Sequence, residues 1–252
     1  MTAVLTFADP DDLADLATFI ARAKRVDPEG AVRLVGHDDL LVVQVCPLSG
    51  VGGIDVIGMR VWRLAEAAPV DTTVPLAAIT DRLAHDATRL PVPPVAVLGA
   101  AWAGIAPPRS GWQPVGKVSL DELREAAEAG IAEVAATAGG VPPKAAAEYR
   151  GRVWSRDLPG RPGVPAGMAF VAEALGFLGP TSGTRNATTD GAAPGAAHSG
   201  GAVTAADAGV TDEPARPAGV VVTDEPARLA RVGSWQRLST PRGHVLARRG
   251  LF

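Results

Sequence analysis

The residues best spaced for chemistry are Gly111, Gly116 and Lys117. They complete a G-x-x-x-x-G-K pattern, in which backbone N–H groups and the lysine cradle phosphates. The surrounding residues argue against that use. Val118 stands where a hydroxyl must hold Mg²⁺, and Ser119 comes one place late. Pro114 removes an N–H from a loop that would work through its N–H groups. Pro107-Pro-Arg-Ser-Gly111 precedes it in place of a buried strand, so a strand and turn leading into a capped helix is expected. Leu48-Ser-Gly-Val-Gly-Gly53 is also glycine-rich. Strand-like Ile54-Asp-Val-Ile57 follows it rather than a helix, so it predicts a hairpin turn and not a dinucleotide site.

The four histidines, His37, His85, His198 and His244, are scattered, and no pair has metal-ligand spacing. His37 sits in Gly-His-Asp-Asp, a turn between strands. Asp11 with Asp12 and Asp38 with Asp39 suit a helix first turn and a turn better than paired acid–base work. Ser49 and Cys46 have no neighbouring His and Asp context. Asn186-Ala-Thr188 fits a glycosylation pattern, which means little without a secretory signal. The sequence therefore assigns no catalytic residue, no metal ligand and no cofactor, and it leans away from an enzyme.

What remains is charge. Ala227–Phe252 holds six arginines and no acid, whereas the rest of the chain holds 18 basic and 27 acidic residues. Arg228, Arg231, Arg237, Arg242, Arg248 and Arg249 are thus candidate contacts for an anion or a nucleic acid. Trp112 and Trp235 are candidate interface aromatics, whereas Trp62, Trp102 and Trp154 sit beside apolar runs as packing residues. Thr240-Pro-Arg-Gly243 predicts a hairpin closed by a type I turn and a glycine bulge, with Thr240 opposite His244 and Leu238 opposite Leu246. A helix before a basic hairpin is the order of a winged-helix module. The helix expected over Val164–Leu178 carries Glu173 and no Lys or Arg, a poor recognition helix. Arginines on edge strands also guard against aggregation.

These residues need elements to hold them. Asp9 and Pro10 open an amphipathic helix over residues 10–25 with Leu13, Leu16 and Ile20 on one face. Strands are expected at Val32–Val35, Leu40–Val45 and Ile54–Leu64, and a helix over Leu76–Leu90. Ser119 and Glu122 form a capping box for the next helix, with Leu120, Leu123, Ala127, Ile131 and Val134 as its stripe. A short segment near Pro142–Tyr149, a strand at Arg152–Ser155 and the Val164–Leu178 helix follow. A strand at Leu229–Val232 makes the C-terminal hairpin a three-stranded meander.

With 252 residues and 47% apolar composition the chain can bury a sizeable core. Its single cysteine, Cys46, excludes an internal disulfide. The N-terminus lacks a basic region and meets acid at Asp9, so no signal peptide is expected. The apolar run 92–106 is too short to span a bilayer. The expectation is a cytoplasmic α+β protein of two small domains, with mostly antiparallel sheets packed by amphipathic helices. An N-terminal domain covers 1–90, and a C-terminal domain covers 91–180 plus 223–252 and closes in the meander. Residues 181–222, rich in Gly, Ala and Thr, form a disordered insertion. Within and beside it Thr-Asp-Glu-Pro-Ala-Arg occurs at 211–216 and again at 223–228.

Four stretches carry a resemblance. They are Asp9-Pro-Asp-Asp-Leu-Ala-Asp-Leu16 with Phe19-Ile-Ala-Arg22, Trp102-Ala-Gly104 with Pro107-Pro108 and Gly111-Trp112, Ala174-Leu-Gly-Phe-Leu178, and Gly243-His-Val-Leu-Ala-Arg-Arg249. Together they resemble an uncharacterised protein family of high-GC actinobacteria. That resemblance implies two small domains and a cytoplasmic protein, and brings no activity or site with it. The function expected is a non-enzymatic binding or protein-interaction module, with a protein partner or a second copy as ligand and no membrane. The alternative is a nucleic-acid-binding regulator using the arginine-rich hairpin.

Overall fold

Strand β1 (Val4–Thr6) leads into α1 (Asp11–Val26), which presents Leu13, Leu16, Phe19, Ile20 and Ala23 to the core. A computed structural model describes residues 3–86, 88–97, 99–137, 142–180 and 225–250. Packing divides the chain into one unit of 1–179 with 225–252 and another of 180–224, of which only Pro180 is described. The insertion expected at 181–222 lies outside the described residues.

The fold is α+β. After α1 come β2 (Ala31–His37), β3 (Leu40–Val51), β4 (Ile54–Arg63) and β5 (Asp71–Pro75), then α2 (Leu76–His85) and β6 (Arg89–Pro91). The chain continues through β7 (Gln113–Val118), α3 (Leu120–Thr137), α4 (Pro143–Ser155), β8 (Asp157–Leu158), β9 (Arg161–Pro165) and α5 (Gly167–Ala174). It ends in the meander β10 (Ala227–Val232), β11 (Trp235–Thr240) and β12 (Gly243–Arg249). Eight strands form one sheet in the order β5-β2-β3-β4-β12-β11-β10-β7, and every pair in it is antiparallel.

The sheet has an internal likeness. β2-β3-β4 and β10-β11-β12 are both meanders, each with a further strand beside its first member, β5 or β7, leading into a helix, α2 or α3. The third strands, β4 and β12, pair with each other, His244 opposite Met59 and Arg248 opposite Asp55. Strands from the two expected domains thus lie in one continuous sheet. The chain order is permuted, since β5 follows its meander and β7 precedes its own.

One face of the sheet is covered by helices. Val32, Leu34, Leu41, Val43, Val56, Leu238, Val245 and Ala247 point into a single core with Phe19, Met168, Val171 and Leu175. α5 lies close to the β4–β12 junction: a Cβ at Gly58 of β4 would stand 2.0 Å from Leu175 Cδ1. Phe19 of α1 links the halves, edge-on to Trp62 and stacked on Phe177. Helix starts follow the sequence signals. Asp9 Oδ1 accepts from Asp11 N at 2.9 Å, and Ser119 and Glu122 exchange both bonds of the capping box.

Four expectations need correction. The helix over Leu76–Leu90 ends at His85, because the Asp86 carboxylate accepts from Thr88 N and turns the chain into β6, which pairs with β1. The short segment and strand at 142–155 are one helix, α4, begun by Pro143 in its first turn and held by Tyr149 Oη donating to Glu133. The Val164–Leu178 helix is shortened to α5, since Arg161–Pro165 pairs with β8. The closing hairpin is one residue out of the expected register, with Thr240 opposite Gly243 and Ser239 opposite His244. Gly243 is there for space: a Cβ on it would stand 2.6 Å from the Phe177 ring.

Candidate functional site

The second sheet face carries Arg33, Val35 and His37 from β2, Val42, Gln44 and Cys46 from β3, and Ile57, Met59 and Val61 from β4. Alternation along each strand places them there, opposite their core-facing neighbours. The C-terminal meander adds Arg237 and Ser239 from β11 with His244 and Leu246 from β12. Part of this face is closed by residues 92–97 and 99–112, which run from the β5 edge to the β7 edge. Val97 N donates to Thr73 O on β5. A short 3-10 turn, Ala101–Gly104, seats Trp102 against Cys46, Ile57, Trp235 and Leu246. Arg33 donates to Asp71 from Nε and Nη2, each at 3.0 Å, and from Nη1 to Ala103 O at 2.6 Å. Trp112 Nε1 donates to Pro108 O at 2.9 Å.

Where this strap stops covering the sheet, a groove opens in two lobes. The first, about 290 Å³, has Val35, Val42, Gln44, Met59 and Leu246 among its lining. Arg33, His37, Arg109 and Arg237 supply its charge and polarity. The second, about 510 Å³, lies toward the β11–β12 turn and includes Arg228, Ser239, Pro241 and His244. Trp112 and Arg237 line both lobes.

Arg237 is the unusual group. Its guanidinium lies 4.5 Å from the centre of the Trp112 ring, a cation–π contact. Its Nε is buried with no hydrogen-bond partner, and burial lowers its pKa. The groove's two acids are already engaged, Asp71 by Arg33 and Glu225 by Arg228. Among the described residues no carboxylate pairs with Arg237 or Arg109. His244 Nδ1 lies 3.0 Å from Ser239 Oγ, and its pKa is lowered by burial and then by the charge of Arg237. A Ser–His contact with no acid to orient the ring, and a ring already reluctant to take a proton, is a weak base. Cys46 is buried and its thiol is pushed far up by burial, so it stays protonated.

The six tail arginines do not share a face. Arg228, Arg237 and Arg248 point to the open side, but Arg228 pairs with Glu225 and Arg248 with Asp55 at 2.7 Å, both partners of that last pair being mostly buried. Arg249 pairs with Asp157. Arg242 stands in the β11–β12 turn near Gly179, and Arg231 is exposed on β10. Trp112 lies in the groove, whereas Trp235 is buried under the strap. Lys117 of the G-x-x-x-x-G-K run is on the exposed edge strand β7, opposite Arg228. Sequence reasoning passed over Arg33, Arg109, Gln44 and Asp71. An arginine inside an apolar strand such as Val32-Arg-Leu-Val35 was the available signal.

Two families match the chain. Residues 107–251 match the Domain of unknown function (DUF8185), and residues 1–104 match the Domain of unknown function (DUF8010). No curated protein and no solved structure matches it. The boundary between the two matches falls in the strap, beside the Pro107-Pro108 wall of the groove.

Proposed function

We propose that this chain, which belongs to the DUF8185 family, is a non-enzymatic binding module that holds an acidic protein partner in the open-face groove. One observation carries this: Arg237 is a partly desolvated cation with an unpartnered Nε, fixed over Trp112 in a groove whose acids are already paired. A charge held that way is destabilising to the free protein and rewards a ligand carboxylate. Arg109 and His244 add polarity on either side. The division at the family boundary supports two modules fused through β4 and β12, with the groove built from both.

Titrating the protein with poly-glutamate and with poly-lysine, followed by calorimetry, tests this. Poly-glutamate should bind, and Arg237→Gln should weaken it at least tenfold while circular dichroism stays unchanged. Equal binding of poly-glutamate to Arg237→Gln, or none to the native chain, overturns the proposal. The nucleic-acid alternative would draw on six arginines, and ion pairs already occupy three, Arg228, Arg248 and Arg249.

A further inference from the structure

Resting on that reading, we infer that the occupant of the groove is an extended peptide of a partner protein, lying across the strands. Its aliphatic side chains would sit in the first lobe, and a carboxylate C-terminal or N-terminal to them would reach Arg237.

The shape supports a linear ligand. The two lobes together draw on β2, β3, β4, β12, β11 and β10, which are neighbours in the sheet. Five strand spacings of about 4.8 Å give a path of roughly 24 Å, the reach of about seven extended residues at about 3.3 Å each. A single small anion at Arg237 would leave most of that length empty.

The chemistry changes along the path. Val35, Val42, Met59 and Leu246 form an aliphatic floor, with Val61 beyond them on β4 43% exposed. Pro107 and Pro108 wall that lobe, lacking N–H groups to offer a polar ligand. Gln44 is 6% exposed and already donates to Met59 Sδ, so the floor presents little polarity. The first lobe also holds His37, Arg109 and Arg33, the last paired with Asp71, but at Arg237 the sheet floor itself turns basic and polar, with His244, Ser239 and Arg228 beyond. A ligand matching this order has aliphatic residues adjoining acids.

A single-stranded nucleic acid fits less well. Base stacking needs open aromatic faces, and one face of Trp112, the aromatic lining both lobes, is taken by Arg237.

The experiment compares four probes on the full chain by calorimetry: the peptide acetyl-Val-Ile-Leu-Glu-Ser-Glu-amide, the shorter acetyl-Glu-Ser-Glu-amide, the long peptide with glutamine in place of both glutamates, and an eight-base oligothymidine. The long acidic peptide is expected to bind at least tenfold more tightly than each of the others. Met59→Ser should remove that advantage over the short peptide. If both acidic peptides bind equally, the extended, aliphatic occupant is overturned while anion binding at Arg237 stands. If neither acidic peptide binds, the parent reading falls too. Oligothymidine binding more tightly than the long peptide also overturns the inference.

Discussion

On the N-terminal half of the sheet the open face carries an aliphatic band, Val35, Val42, Met59 and Val61 across three adjacent strands, beside Arg33, which is paired with Asp71, and His37. On the C-terminal half the matching strands show Arg228, Arg237, Ser239, His244 and Arg248. The helix-covered faces do not differ in this way. Leu34, Val43 and Val56 on one side and Leu229, Leu238 and Val245 on the other are all buried aliphatics. A layer packed under helices has to be apolar in both halves, because burial penalises anything else. The face without helices carries no such constraint, and there the halves diverge. Their junction sets the aliphatic band of the first beside Arg237 of the second, a cation without an acid partner among the described residues.

If the halves are one cooperative body, cutting the contact between them should damage both. Phe19→Ala removes the ring between Trp62 and Phe177 and should cost about 3–5 kcal/mol. Denaturant unfolding should then show one transition at a lower midpoint. Two separate transitions would mean that the halves fold independently.

The pair across the junction comes next. Asp55 and Arg248 have side chains only 15% and 19% exposed, and Arg248 Nε is already buried without a partner. Asp55→Ala leaves the guanidinium uncompensated and also removes the acceptor for Gly50 N, at a cost of about 2 kcal/mol. The double variant with Arg248→Met should recover part of this, as measured by a double-mutant cycle.

Smaller effects separate the halves by their helix starts. Ser119→Ala and Asp9→Ala should each cost about 1 kcal/mol in thermal or chemical unfolding. A clearly larger loss at Ser119 would mean that the reciprocal Glu122 bond adds to the cap.

The smallest effect is a pH dependence peculiar to the basic half. His244 has a pKa below its ordinary 6.5 because it is buried and because Arg237 is near. As pH falls below about 6.5 the unfolded chain takes up this proton before the folded chain does, so stability declines in that window and is retained above it. Arg237→Gln removes the second cause and should flatten the decline in unfolding curves recorded from pH 7.5 to 5. An unchanged slope would show that Arg237 has no electrostatic hold on His244.

Much of the fold was legible because it rests on local signals. The cap at Asp9, the Ser119–Glu122 box, the turns at His37-Asp-Asp39 and Gly52-Gly53, and the β10–β12 meander are each written in a few neighbouring residues. Where local signals were ambiguous, partners far along the chain decided. The apolar spacing that carries a helix on to Leu90 is overridden by the Asp86 turn and by β1, which claims Arg89–Pro91 as a partner. Gly243 suited a bulge by pattern, yet Phe177 explains it. The lack of cations in α5 also has a tertiary answer, since Arg22 and Arg124 reach in from α1 and α3 to the carbonyls of Leu175 and Leu178.

The sequence by itself determined the alternation that gives each strand one apolar side, the helix starts and the concentration of arginine at the C-terminus. These depend on residue type and short spacing. The tertiary structure decided which arginines meet an acid, because pairing is a property of position in space. Arg248 and Arg249 meet Asp55 and Asp157, about 190 and 90 residues away in the chain, and are neutralised. Arg237 meets Trp112 instead, and the strap that carries that tryptophan also walls the groove in which the charge is left unanswered.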